Sequence, residues 1–175
     1  MEAQIFEGIK NVRTFHDPDS CQKELTMVKE LLSERMKLIS SSKCKDIVDY
    51  NKKHPDSKSR LNRYLVIVDE ASELSQKMGD SSAHNLKEIN ATLSKIARMG
   101  RACGIHLVIG TQKPDNRNLD ATIKANLSGI ICFYVNNHTQ SNVVLGNRRA
   151  ADLDGHIRGR AIWQWGAQQH EVQTP

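Results

Sequence analysis

Short apolar runs rich in β-branched residues alternate along the chain with longer segments whose apolar residues recur at three- and four-residue steps. The short runs predict β-strands at 64–68, 105–110, 130–135, 161–165 and 170–173. In the first three runs the apolar residues follow one another without alternation, which is typical of strands buried on both faces. We therefore expect a mainly parallel sheet flanked by helices, followed by a C-terminal β-hairpin that turns at Gly166 and Ala167.

Helical periodicity is clearest in two long segments. It predicts one amphipathic helix over about residues 20–39 and a second over about residues 83–99. The candidate N-caps are Asp19 or Ser20 for the first helix and Ser81 or Ser82 for the second. Helices that alternate with buried strands indicate an α/β fold.

The composition of the 175-residue chain fits one domain or part of one, since 38% of its residues are apolar and 26% are charged. Aromatic residues make up 5%, which argues against a surface that stacks on nucleic-acid bases. The net charge of +5 fits a polyanionic partner, although many ordinary domains are as basic. No apolar run reaches the roughly 18 residues of a membrane span. We expect a cytoplasmic chain, whose parent protein could be anchored at the cytoplasmic face of the membrane.

Residues 51–63 are polar and basic, and they predict a loop ahead of the first strand. The cations in and just before this segment are Lys43, Lys45, Lys52, Lys53, Lys58, Arg60 and Arg63. Two interpretations remain open: these side chains contact DNA phosphates, or they belong to an ordinary solvated loop.

Polar side chains follow two of the predicted buried strands where each strand ends. Asp69 and Glu70 come directly after the strand 64–68, and Thr111 and Gln112 come after the strand 105–110. Ligands of parallel α/β sheets bind at the carboxyl ends of the strands. In phosphate-loop ATPases an Asp at this position holds Mg²⁺, often through water, and a neighbouring Glu can act as general base.

Each strand end also has a simpler interpretation. Asp69 and Glu70 could cap a helix or turn, and Thr111 and Gln112 could mark a transition into a loop broken by Pro114. In the ATPase interpretation Asp69 binds the metal ion and Glu70 is the general base. Thr111 or Gln112 then hydrogen-bonds the γ-phosphate or its attacking water.

Several segments resemble, in order, the signature of the FtsK/SpoIIIE family of DNA-translocating ATPases. The longest runs from Ile96 to Pro114 and contains Gly-Ile-His-Leu-Val-Ile-Gly-Thr-Gln-Lys-Pro. Asp69-Glu70-Ala71-Ser72-Glu73-Leu74 resembles the Walker B segment Asp-Glu-Phe-Ala-Asp-Leu of the family. Further matching segments lie at 6–9, 34–38, 123–126 and 141–146. Together they span nearly the whole chain.

The resemblance implies a RecA-like motor of the phosphate-loop NTPase type that assembles as a hexameric ring and pumps double-stranded DNA. It implies Asp69 as the Mg²⁺ residue, Glu70 as the catalytic base and Gln112 as the sensor. Arg35 is the first candidate for an arginine finger that reaches a neighbour's nucleotide, and Arg101 is the second. The alternatives are a solvated helix face for Arg35 and a favourable helix C-terminal charge for Arg101.

The phosphate-binding sequence Gly-x-x-x-x-Gly-Lys-Ser/Thr is absent from these 175 residues. In the family it precedes the segment that resembles this chain, so the chain resembles the later part of a motor domain. Without that loop ATP affinity should be poor. We expect binding of ATP and Mg²⁺ only when the loop is supplied, and no ATP hydrolysis by this chain alone.

Three branches of the family fit the sequence. The ending Gly159-Arg160-Ala161-Ile162-Trp163-Gln164 resembles the coupling ATPases of conjugative elements, and it favours conjugative DNA transfer. Chromosome segregation and type VII protein secretion stay open. A module of a different class, which binds partners without hydrolysing ATP, is the further alternative, and the adjacent Asp69 and Glu70 argue against it.

Overall fold

A computed structural model describes residues 5–56, 58–71, 83–113 and 121–175. They form two compact units, Met1–Thr111 and Gln112–Pro175. The expected helix caps Ser81 and Ser82 lie outside the described residues. Within those ranges, no helix combines the length and apolar character that crossing a membrane requires.

The first unit contains a parallel pair of strands against which helices pack. Its elements in chain order are α1 (Pro18–Ser41), α2 (Ile47–Lys53), β1 (Tyr64–Val68), α3 (Ala83–Met99), a 3₁₀ turn (Arg101–Cys103) and β2 (Ile105–Ile109). β1 and β2 pair in parallel, from Tyr64 opposite Ile105 to Val68 opposite Ile109. Helix α3 packs against both α1 and β2. The expected parallel pairing of these strands is confirmed.

Helix α1 begins two residues earlier than the periodicity predicts. Asp17, not Asp19 or Ser20, is its N-cap, and its carboxylate accepts the backbone N–H of Ser20 at 2.8 Å. Pro18 occupies the first turn, where its fixed φ suits the helix and its missing N–H costs nothing. The hydrogen bond from Ser20 lowers the pKa of Asp17 below its usual value.

One face of the β1–β2 pair is exposed in the described part of the chain. Leu65 is 56% exposed, Ile67 64% and Val108 50%, whereas Ile105 on the opposite face is buried. The expectation that these strands are buried on both faces is therefore wrong for the described residues. Among the described helices, those that pack on the pair cover one face only, and Leu65, Ile67 and Val108 lie on the other.

The second unit is built on an antiparallel sheet. Its elements are α4 (Ala121–Asn126), β3 (Gly129–Phe133), α5 (His138–Leu145), β4 (Arg160–Trp165) and β5 (Gln168–Gln173). The strand order is β3-β4-β5. The expected hairpin of β4 and β5 is confirmed, and Gly166 takes a positive φ of 59° at the first position of its two-residue turn.

The lack of alternation in the apolar run at 130–135 predicted a further strand of the parallel sheet. The strand formed by this run, β3, instead pairs antiparallel with β4. One face of β3 contributes Cys132 to the core of the second unit, while Ile131 and Phe133 on the other face are half exposed. The run is therefore apolar on both faces although only one face is packed in the core, and it does not lie in a parallel sheet covered on both sides.

Ser141 fixes the turn that follows α5. It is fully buried, its hydroxyl donates to the carbonyl oxygen of Asn147 at 2.7 Å, and it accepts the backbone N–H of Ala150 at 3.1 Å. Ala150 belongs to the core of this unit, which also contains Leu145, Leu153 and Ile162. A single hydroxyl thus satisfies two backbone groups beside the core.

Candidate active site

The parallel pairing of β1 and β2 brings their carboxyl ends side by side. Asp69 and Glu70 follow β1, and Gly110 and Thr111 follow β2. Asp69 is exposed, and Glu70 and Thr111 are partly buried. The structure therefore brings three of the residues singled out by the sequence to one edge of the first unit.

Thr111 and Glu70 are in direct contact. The Thr111 hydroxyl Oγ1 donates to the Glu70 carboxylate Oε1 at 2.8 Å. The sequence suggested that Thr111 would contact a phosphate or its attacking water, and it gave no sign of this bond. The threonine hydroxyl thus has a carboxylate of the same site as a partner, and its contact with phosphate stays a prediction.

A close backbone approach at Gly110 makes this contact possible. Its N–H donates to the carbonyl oxygen of Val68 at 2.8 Å, and its own carbonyl accepts the N–H of Ala71 at 3.0 Å. A Cβ at position 110 would lie 2.4 Å from the backbone oxygen of Asp69. Any side chain here would push the two strand ends apart, so glycine is required by the geometry.

The donor set fits a hydrated magnesium ion. Mg²⁺ prefers oxygen ligands, keeps several waters and is held in such sites by one or two carboxylates together with substrate phosphates. The exposed carboxylate of Asp69 meets that need. Within the described ranges no group of three or more His, Cys, Asp or Glu side chains is placed to hold a metal ion. Asp69 would therefore share the ion with water and phosphate.

Gln112, the expected sensor, is exposed and is the first residue of the second unit. Its role at the phosphate stays a prediction.

Arg35 points into the first unit. It is 7% exposed, and its Nη1 donates to the carbonyl oxygen of Cys103 at 2.9 Å. Burial lowers the pKa of Arg35, and its Nε has no hydrogen-bond partner among the described residues. A solvated helix face is thus the wrong interpretation of this residue. Arg35 ties α1 to the turn that leads into β2, and a role at a neighbour's nucleotide would require it to leave that position.

Arg101 lies in the 3₁₀ turn after α3 and is exposed. Because its side chain is exposed, it can reach outward without leaving the interior, and its role as an arginine finger stays a prediction.

The basic segment is exposed at each of its seven cationic residues. Helix α2 extends to Lys53, so the first three residues of the predicted loop 51–63 are helical. Lys53 lies 3.6 Å from Asp49 and also donates to the carbonyl oxygen of Lys43 at 3.0 Å. Arg63 Nη1 lies 2.9 Å from His106 Nε2.

Sequence comparison places residues 1–116 within a profile of the FtsK/SpoIIIE family. The DNA translocase FtsK of Caldanaerobacter subterraneus subsp. tengcongensis is 32% identical over 157 residues, which cover 89% of this chain and 21% of that protein. The DNA translocase FtsK of Helicobacter pylori is 32% identical over 158 residues, with 89% and 18% covered. The chain thus spans about a fifth of the length of these relatives.

Solved structures support the same fold. The monomer form of the pCW3 conjugation coupling protein TcpA with ATPγS superposes with a TM-score of 0.83 at 33% identity, covering 90% of this chain and 44% of that one. The cytoplasmic domain of the type VII secretion ATPase EccC of Thermomonospora curvata gives a TM-score of 0.68 at 21% identity, covering 89% of this chain and 17% of that one. The RecA-like class expected from the sequence is confirmed, as part of a motor domain.

Proposed function

The chain belongs to the FtsK/SpoIIIE family, and we propose on that premise that it forms the metal-, base- and sensor-bearing half of an ATP-driven DNA-translocating motor. One observation supports this most directly. Asp69 and Glu70 lie at the end of β1, and Glu70 is hydrogen-bonded to Thr111 at the end of the parallel neighbour β2. Ligands bind at this edge of parallel sheets.

In this proposal each residue has a separate task. Asp69 would hold Mg²⁺ through water, and the bound ion would neutralise charge on the β- and γ-phosphates. Glu70 would accept a proton from the attacking water as general base. Gln112 would hydrogen-bond the γ-phosphate or that water. Arg101, which is exposed, is favoured over the buried Arg35 as the arginine that acts on a neighbour's nucleotide.

The phosphates themselves need a different segment. These 175 residues contain no Gly-x-x-x-x-Gly-Lys-Ser/Thr sequence, whose backbone N–H groups and lysine would cradle them. We propose that ATP turnover requires a segment that supplies such a loop, and that the isolated 175 residues do not hydrolyse ATP.

Double-stranded DNA is the proposed substrate, and conjugative transfer is the proposed process. The likeness to the conjugation coupling protein TcpA, at 33% identity over 90% of the chain, supports the conjugative branch. The FtsK translocases at 32% identity keep chromosome segregation as the alternative. The likeness to the secretion ATPase, at 21%, concerns the fold alone. A hexameric ring at the cytoplasmic face of the membrane is part of the same proposal.

ATP turnover with and without duplex DNA tests the proposal. The rate of ATP hydrolysis should be measured on the natural, full-length protein and on the isolated 175 residues. Glu70→Gln should abolish turnover, whereas Glu30→Gln, an exposed position on α1, should leave it unchanged. Duplex DNA should stimulate the wild type. Turnover that survives Glu70→Gln would overturn the assigned site, and turnover by the isolated chain would overturn the need for a further segment.

A further inference from the structure

We infer that Thr111 is a positioning residue for Glu70, with Gly110 as the residue that lets it reach the carboxylate. The inference rests on the proposed function and assigns a role to Thr111 other than phosphate contact. Its basis is the 2.8 Å hydrogen bond from Thr111 Oγ1 to Glu70 Oε1, made across the ends of two paired strands.

A general base needs a fixed carboxylate. One of its oxygens must stand within about 2.6–3.2 Å of the oxygen of the water whose proton it removes. Glutamate has three rotatable side-chain bonds, and Glu70 lies beyond the last paired residue of β1, where the regular ladder ends. The hydroxyl of Thr111 ties one carboxylate oxygen to the neighbouring strand and so restricts the rotation of the whole side chain.

The backbone around Gly110 supports this arrangement. Gly110 bonds to Val68 on one side and Ala71 on the other, and these two residues bracket the two acids. The Cβ of any other residue would lie 2.4 Å from the backbone oxygen of Asp69. Close approach at this glycine therefore sets the distance between the strand ends at which a threonine hydroxyl reaches the carboxylate.

The hydroxyl is the part of Thr111 that the role requires. Valine has nearly the same shape and β-branching, so Thr111→Val removes the donor while it keeps strand propensity and packing volume. Serine keeps the donor and loses only a methyl group. A side chain that contacts phosphate equally in the ground state and the transition state affects substrate binding and raises KM, whereas one that only orients the base affects kcat.

Steady-state ATP turnover by the protein as the cell makes it decides between these roles. Thr111→Val should lower kcat roughly 10- to 100-fold, with KM within about twofold of the wild type, because a base displaced by about 1 Å loses up to about two orders of magnitude. Thr111→Ser should restore kcat to within about threefold of the wild type. Gly110→Ala should resemble Thr111→Val.

The contrary outcomes are as definite. Unchanged or increased kcat in Thr111→Val, equal loss in Thr111→Ser, or a raised KM at constant kcat would each overturn the inference. If Glu70→Gln retains full turnover, the proposed function fails first. If Glu70→Gln abolishes turnover and Thr111→Val does not lower it, only the positioning role fails.

A second measurement needs no turnover and uses the 175-residue chain. Three-bond NMR couplings from the Thr111 methyl group to backbone nitrogen and carbonyl carbon report the χ1 rotamer. We expect values for a single rotamer, the one that turns Oγ1 toward Glu70. Averaged couplings, or values for a rotamer that turns Oγ1 away from Glu70, would overturn the inference.

Discussion

Replacing Arg35 by methionine should destabilise the first unit. Methionine fills most of the volume of the arginine stem, so the change removes mainly the guanidinium and its bond to Cys103. A hydrogen bond that involves a charged group contributes about 1.5–3 kcal/mol, and a buried carbonyl left without its donor costs a similar amount. Removing a buried cation whose Nε has no partner among the described residues returns part of that loss. We expect the free energy of unfolding to fall by about 1–3 kcal/mol.

Urea denaturation followed by two signals makes the test specific. Both tryptophans, Trp163 and Trp165, lie in the second unit, so tryptophan fluorescence reports that unit. The long helices α1 and α3 lie in the first unit, so the far-UV helical signal reports mainly on that one. Arg35→Met should lower the midpoint of the helical transition by at least as much as that of the fluorescence transition. Lys37→Met, at an exposed position one-half turn further along α1, is the control.

An Arg35→Met variant within about 0.5 kcal/mol of the wild type would refute this reasoning, because surface substitutions typically have effects of that size. Arg35 would then be free of a structural role, and the arginine-finger assignment would regain its place beside Arg101. A loss of stability in the predicted range would tie any loss of activity in this variant to the displaced turn before β2.

Two further changes test contacts elsewhere. Asp17 has a pKa lowered by its hydrogen bond to the helix, so the carboxylate stabilises the folded state above the pKa of the unfolded chain and this stabilisation is lost as pH falls through the folded-state pKa. Asp17→Ala should therefore be less stable than the wild type near pH 7, and the difference should shrink as pH falls below the usual aspartate pKa of about 3.9, as measured by thermal unfolding. Asp19→Ala should show a smaller difference near pH 7. Ser141→Ala leaves two backbone groups without their hydroxyl partner and should lower the stability of the second unit by about 1–3 kcal/mol in tryptophan-monitored urea unfolding, with the exposed Ser128→Ala as control. An Asp17→Ala deficit that does not shrink at acidic pH would contradict the first expectation, and an equal effect of both serine variants would contradict the second.

The periodic part of the fold could be predicted from the sequence. The bounds of β1 and α3 match the structure, because a run of five apolar residues and a 17-residue amphipathic pattern each have one plausible structure. The start of α1 was misplaced because three possible caps lie within four residues, and only the folded chain shows which carboxylate accepts an amide.

Strand partners could not be predicted with the same success. An apolar run does not show whether its side chains are buried or exposed, nor in which direction the strand pairs. β1 and β3 therefore look similar in sequence, although β1 pairs in parallel and β3 antiparallel. Arg35 shows the same limit. Its place on α1 follows from periodicity, but its bond to a carbonyl 68 residues away depends on how α1 packs against the turn at Arg101–Cys103.

The strand ends favour a motor over a module that binds partners without hydrolysis. A binding module would need the apolar strands but would gain nothing from two adjacent carboxylates at the end of β1. The pair is useful if one carboxylate holds a metal ion and the other must be held in a fixed position as a base. The bond between Thr111 and Glu70 supplies that restraint, and it is available only because the strand ends approach closely at Gly110.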